Sequence, residues 1–424
     1  MRDLLIENLA EIATPLGCAP RRGREQGEIR RVRAGELLCR GGRIAFVGSR
    51  AERLRDFGPL PEAERLDGRG GTAVPGFVDA HTHLPWAGAR EMEFAQRLAG
   101  RSYEEIAAAG GGILSTVRAT RGASREQLVA AMLPRLERML ACGTTTAEAK
   151  SGYGLALADE TKQLEAIRDV ARLQPIELLP TLLAAHEVPP EHRAARERYV
   201  ALVAEEIVPA VAERGLARFC DVFCERGVFS AAESRRVLES GQAHGLLARL
   251  HADEFVDSGG AELAADLHAL SADHLMAVSE RGVEALAGSG VTALLLPGTS
   301  FFLRKKSWAP ARRLIEAGVP VALATDCNPG SSNTESLPNV IQLAVFELGL
   351  TVEEALTAVT LNAAASLALG DELGSLEPGK RADVVVLDEP NLFHLAYHFG
   401  VNPVRSVVKG GHEVYRAGNL LLSH

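Results

Sequence analysis

The stretch VPGFVDAHTHLPWAGAR, residues 74–90, places His81 and His83 one residue apart, directly after an apolar run. Side chains at i and i+2 of an extended segment point the same way. Both imidazoles can therefore share one divalent ion at the roughly 2.0–2.1 Å typical of nitrogen ligands. A hydrogen-bonded pair bracing a loop would use the same two residues. His251 in RLHADEF and Asp326 in TDCNPG are the natural completions, since each follows an apolar run. Three nitrogens with one carboxylate oxygen suit zinc, and also iron. Asp326 could equally cap its loop, whose residues have strong turn chemistry. Metal-assisted attack by water still needs a positioned acid or base. Glu254, three residues past His251, and His274 in SADHL are the candidates. Their plainer readings are a surface acid and a histidine that only orients a ligand.

These residues share a position in their surroundings. The chain alternates apolar runs with amphipathic stretches, and eight such runs carry polar residues at their C-terminal ends: TAVPGFVDAHTH, TTTAEAKSGYG, IELLPTLLAAHE, RFCDVFCE, LLARLHADEF, HALSADHL, VTALLLPG and VPVALATDCNPG. Helical patterns follow over 124–141, 159–173, 196–214, 230–243 and 309–317, with capping-box spacing at Ser124/Gln127 and Ser230/Glu233. Eight strand–helix units predict an α/β fold, a (β/α)8 TIM-type barrel, in which all those strand ends lie on the catalytic face. No glycine-rich phosphate fingerprint follows any strand. Both chain ends read as β-rich, with Gly-Gly hairpin turns at 41–42 and 410–411. An isolated hairpin is marginally stable. The ends are therefore expected to pair as one small β-sandwich-like domain built from residues 1–71 and 369–424, with the barrel over 72–368.

The composition narrows the function classes. With 424 residues, 46% hydrophobic and 24% charged, the chain has the make-up of an ordinary globular protein. A net charge of −9 argues against general nucleic-acid binding. No apolar run approaches the ~18–20 residues of a membrane span, and Asp3, Glu7 and Glu11 interrupt any signal-peptide core. Cysteines 18, 39, 142, 220, 224 and 327 form no CxxC pair, so reduced thiols and a cytoplasmic location are expected.

The pattern as a whole resembles the amidohydrolase superfamily: an HxH on the first strand, later histidines, an Asp after the last strand, and the closing segment SLEPGKRADVVVLD. The lysine that bridges two metals in many members would end the fourth strand. RFCDVFCE has none, so a mononuclear site is implied. Within the superfamily, DAHTHLPWAGAR, EAKSGYGL, LLAAHEVP, DVFCE, RLHADEF, SADHL, TDCNPGSS and YHFGVN are similar to the imidazolonepropionase family. The resemblance implies hydrolysis of 4-imidazolone-5-propanoate to N-formimidoyl-L-glutamate in histidine degradation, one Zn²⁺ or Fe ion per subunit, and a homodimer. It implies His81, His83, His251 and Asp326 as metal ligands. It implies Arg90, Tyr153, His186, Glu254, Asn328, Gly330 and Ser331 as substrate-binding positions. Arg90 would clamp a carboxylate tail, Tyr153 and His186 would add neutral donors, and Asn328 and Ser331 would bond the heterocycle or the opened product. Asp326 is expected to take the proton of the attacking water, Glu254 to serve the ring nitrogen, and His274 to steady the oxyanion. His398 in YHFG is a weaker candidate for approach to the site. The Arg-rich segment 18–35 is assigned no role. A deaminase of a cyclic amidine or nucleobase would use the same donor set and is the nearest alternative. A non-catalytic barrel scaffold is the more distant one.

Overall fold

The computed structural model describes residues 2–101, 105–106 and 110–421. Eight parallel strands, here numbered in chain order, form one sheet in sequential order. They are β1 (Phe77–Asp79), β2 (Thr144–Lys150), β3 (Glu177–Ala185), β4 (Phe219–Cys224), β5 (Leu247–Ala252), β6 (Ser271–His274), β7 (Thr292–Leu295) and β8 (Val321–Leu323). The ring closes just beyond β1 and β8, where Thr82 bridges Cys327 in parallel. There Asp326 N donates to His81 O and His83 N donates to Cys327 O, both at 3.0 Å. The two segments that carry predicted ligands are thus hydrogen-bonded to each other.

The strands are covered on both faces, as parallel strands must be; β2 and β4 are buried at every residue. Two of the helices between them begin at caps that the sequence announces. Ser124 with Gln127 and Ser230 with Glu233 both form complete capping boxes, opening helices Arg125–Ala141 and Ala231–Ala243. Each such cap contributes about 1 kcal/mol. Val78, Leu179, Phe219, Leu294 and Ala322, from five of the eight strands, belong to one buried cluster that fills the ring. None of the described helices is long and apolar enough to cross a membrane.

The chain ends build two further sheets. One has four strands, Arg43–Ser49, Gly35–Arg40, Leu4–Glu7 and Glu64–Asp67 in spatial order. The other has seven and interleaves the termini: Val384–Leu387 pairs with Val404–Lys409 on one side and Thr72–Pro75 on the other, and Thr72–Pro75 in turn pairs with Glu11–Thr14. Leu4, Ile6, Ile12, Leu37, Ile44, Val384, Val386 and Val408 share one buried cluster drawn from both sheets, a sandwich core. Both Gly-Gly turns sit where expected, joining Gly35–Arg40 to Arg43–Ser49 and Val404–Lys409 to His412–Arg416. The apolar run beginning at Thr72 is divided at Gly76. Its first half joins the seven-stranded sheet, and only Phe77–Asp79 enters the barrel.

This junction leaves no room beside Gly71, where a Cβ would lie 2.0 Å from the Leu387 carbonyl oxygen. Gly71→Ala should therefore cost about 1–3 kcal/mol, read as a lowered Tm. Gly288→Ala, on an exposed face of helix Glu280–Ser289 where a Cβ meets nothing within 4 Å, should be neutral or stabilising.

Candidate active site and metal centre

The ends of β1, β5, β6 and β8 meet at one mouth of the barrel. Register places His251 beside Phe223 of β4 and Asp273 of β6, and Ala252 beside His274. The turn after β8 is braced by Asp79, whose carboxylate accepts the Thr325 N–H at 3.0 Å and its hydroxyl at 2.6 Å. Asp326 and His274 both hold positive φ, 52° and 75°. For a histidine that conformation is strained, and such strain persists only where the surroundings enforce it.

His81, His83, His251 and Asp326 converge. Donor atoms of the three histidines lie within 4.8 Å of one another, as do those of His81, His274 and Asp326. Asp326 Oδ1 is 3.5 Å from His81 Nε2 and 3.4 Å from His83 Nε2. The His81 and His251 ring centroids are 4.5 Å apart. All four residues are buried. His81 Nδ1 lies 2.6 Å from Asp273 Oδ2, and His251 Nδ1 lies 3.1 Å from Asp221 Oδ1. A carboxylate only accepts here, so each Nδ1 carries a proton and Nε2 is the nitrogen left to bind a metal. Those two Nε2 atoms are buried without a hydrogen-bond partner among the described residues. Each such orphan costs about 1–3 kcal/mol, a cost that a cation at the centre removes. Burial lowers the pKa of His81 well below the ordinary histidine value, helped by Lys150 and His251. Burial does the same for His83, helped by His251 and Lys150. Both rings are therefore neutral, the form that ligates. Three imidazole nitrogens and one carboxylate oxygen fit a divalent metal.

Around this centre lies a second set of groups. Glu254 is buried, its Oε2 3.7 Å from His274 Nε2. Burial, reinforced by the Asp326 charge, raises its carboxyl well above the usual range, while burial depresses His274 to about 3. Burial thus shifts the acid toward its protonated form beside a neutral imidazole. His186 stacks on His83 with centroids 5.1 Å apart, and Tyr153 lies 5.3 Å from His186. Burial raises the Tyr153 phenol, keeping it protonated. His186 departs from expectation. Its Nδ1 donates to the Gly152 carbonyl at 2.9 Å, and burial keeps the ring neutral. Its Nε2 is therefore an acceptor and not the donor expected.

Arg90 is nearly buried and holds Glu93 through Nε and Nη2, both at 2.8 Å. Its guanidinium lies against Gly330, where a Cβ would come within 2.0 Å of Nη1. Asn328 differs from the sequence reading. Its Oδ1 accepts from Gly330 N and Ser331 N at 2.8 Å, and its Nδ2 donates to Asp326 O at 2.7 Å and Ser331 Oγ at 2.9 Å. These bonds use the full capacity of the amide, so Asn328 shapes the turn that presents Asp326, Gly330 and Ser331. His398 faces Glu389, 3.5 Å away, and belongs to no part of the four-donor cluster.

Sequence reasoning missed three acids. Asp221 and Asp273 orient His251 and His81; the available signal was an ionisable residue inside a fully buried strand. Glu160, in the first turn of helix Leu157–Val170, accepts the N–H groups of Gly152, Gly154 and Leu155 at 3.0, 2.8 and 2.7 Å. It thereby wraps the Tyr153 loop around itself. Gly154 is obligatory there, since a Cβ would lie 2.5 Å from Glu160 N.

Comparison with known proteins identifies the family. Residues 72–414 match the Amidohydrolase family. The chain is 52% identical to the imidazolonepropionase of Symbiobacterium thermophilum over 99% of its length and 98% of that protein's. It is 48% identical to that of Geobacillus kaustophilus over 100% of both. Among solved structures, a zinc-bound adenosine deaminase from Xanthomonas campestris superposes with a TM-score of 0.72 at 20% identity, covering 100% of this chain and 95% of that one. A triazine hydrolase variant superposes with a TM-score of 0.76 at 17% identity, covering 100% and 97%. At those identities the structural likeness speaks for the fold alone. The full-length sequence likeness speaks for more: the chain belongs to the amidohydrolase family and, within it, to the imidazolonepropionases.

Proposed function

We propose that this site hydrolyses the ring amide of 4-imidazolone-5-propanoate to N-formimidoyl-L-glutamate, the ring-opening step of histidine degradation. The observation that carries the reading is the 52% identity over 99% of the chain to a protein of that name. The barrel alone would not distinguish ring opening from deamination. One ion per chain, zinc or iron, a homodimeric assembly and a cytoplasmic location belong to the same reading and are supported by the family resemblance.

His81, His83, His251 and Asp326 would hold the ion, which supplies Lewis acidity toward the carbonyl oxygen and makes water more acidic. The remaining work falls to the chain. Arg90 fixes the propanoate carboxylate, so that the ring enters the mouth in one orientation. Asp326 Oδ2, held by the Thr299 hydroxyl at 2.5 Å, accepts the proton of the water that adds to the ring carbonyl. As the carbon–nitrogen bond breaks, Glu254 donates its proton to the departing ring nitrogen. His274, neutral and with an unpartnered Nδ1 among the described residues, supports the oxygen that becomes negative. Tyr153 contributes a phenol donor, and His186 an acceptor for an N–H of the substrate.

Four measurements test this. Glu254→Gln should lower turnover about 10²-fold or more while zinc content, read by elemental analysis, stays at the parental level; unchanged turnover would exclude its role. Because the Glu254 pKa is raised, the acid is available below that pKa and lost above it. The parent kcat should therefore fall on the alkaline side, and the residual activity of Glu254→Gln should lack that limb. Gly330→Ala should push the Arg90 guanidinium aside and raise KM about tenfold with little change in kcat. Product analysis decides between reaction classes: stoichiometric ammonia in place of N-formimidoyl-L-glutamate would establish a deaminase.

A further inference from the structure

Lys150 ends β2 wholly buried, and no step of the proposed reaction uses it. Its ammonium lies 2.7 Å from Glu148 Oε1, 2.8 Å from Asp221 Oδ2 and 4.0 Å from Asp273 Oδ2. Each of these carboxylates reaches onward to the histidine cluster. Glu148 Oε2 accepts the Thr82 N–H at 3.1 Å, and the Glu148 carbonyl accepts the Thr82 hydroxyl at 2.6 Å. Thr82 is the residue between His81 and His83. Asp221 holds His251 Nδ1, and Asp273 holds His81 Nδ1. The Thr181 hydroxyl also donates to Glu148. Arg249, equally buried, lies 3.5 Å from Asp273 and donates to the carbonyls of Ala80 and Ser366, both at 2.7 Å.

The geometry points to Lys150 as the positioning residue of the metal centre: one buried ammonium gathers carboxylates from β2, β4 and β6, which fix the backbone between His81 and His83 and the ring orientations of His251 and His81. This inference rests on reading the four-donor cluster as a metal site. Lysine suits the task because its three N–H groups diverge toward separate acceptors, whereas a planar guanidinium directs its donors in one plane. Burial on its own would lower the ammonium's pKa, but Asp221 and Glu148 outweigh it and the pKa is raised. The group is therefore a cation. Without it, the buried carboxylates repel one another and turn away, and the imidazoles they hold lose their aim. Groups that orient metal ligands typically account for 10–100-fold in affinity.

The test is binding of Zn²⁺ in competition with a chromophoric chelator, together with the absorption spectrum of the Co²⁺-loaded protein, on the full chain. The variants are Lys150→Met, Glu148→Gln and their combination. The combination removes one positive and one negative charge from the cluster and so keeps its charge balanced. The expected result is that a folded variant lacking Lys150 binds Zn²⁺ about 10–100-fold more weakly than the parent. The combined variant should also bind more weakly than Glu148→Gln alone, and the Co²⁺ bands should shift. Affinity and spectrum equal to those of the matching Lys150 protein would overturn the inference and leave the lysine as a charge balancer. If none of the variants lacking the ammonium folds, Lys150→Arg provides the same comparison, with weakened Zn²⁺ binding expected and parental affinity contrary. A parent chain that binds neither ion would instead refute the metal reading itself.

Discussion

The imidazoles and carboxylates of the four-donor cluster and its partners are withdrawn from water, so each must be satisfied by a neighbour or exist in its neutral form. That constraint organises the site. It keeps His81 and His83 neutral and able to ligate. It shifts Glu254 toward its protonated form, in which it has a proton to give. It also demands that Asp221 and Asp273 find partners, which they do on the far nitrogens of His251 and His81. Their Nε2 atoms are left without a hydrogen-bond partner among the described residues. Desolvation thus creates both the chemistry and the need for a cation.

The fold supplies the rigidity this arrangement requires. Four donors from three strand ends are held by parallel ladders, and the β1 and β8 extensions are locked together by main-chain bonds beside the Thr82–Cys327 bridge. The terminal sheets contribute from behind. The polypeptide leaves the seven-stranded sheet at Pro75 and enters β1 two residues later, so the strand that leads to His81 is anchored at its start. A barrel frame does not by itself fix a reaction; on this one the fold sets Arg90 packed against Gly330 and the Tyr153 loop wound on Glu160.

Much of this was readable before any coordinates. Alternation of apolar runs and capped helices located the barrel, because buried parallel strands and amphipathic helices have different periods. The spacing of His81 and His83, and the placement of His251 and Asp326 after apolar runs, pointed to four residues that the fold does bring together. Other features depend on partners far apart in the chain and have no local signature. The run from Thr72 reads as one strand, yet Gly76 splits it between two sheets. Asn328 looks like a ligand contact in a turn-rich segment, but its amide is fully used by that turn. The tautomer of His186 follows from the Gly152 carbonyl, and the roles of Asp221, Asp273 and Glu160 follow from contacts across strands or around a loop. No spacing rule reports these.

The account stands on one claim, that His81, His83, His251 and Asp326 together bind a single divalent ion. X-ray absorption spectroscopy on the full chain loaded with one equivalent of zinc tests it most directly. The predicted first shell contains nitrogen and oxygen at about 2.0–2.1 Å, with multiple-scattering features of three imidazoles, and loses one imidazole in His251→Ala. A shell of sulfur, or of oxygen with no imidazole signature, would contradict it.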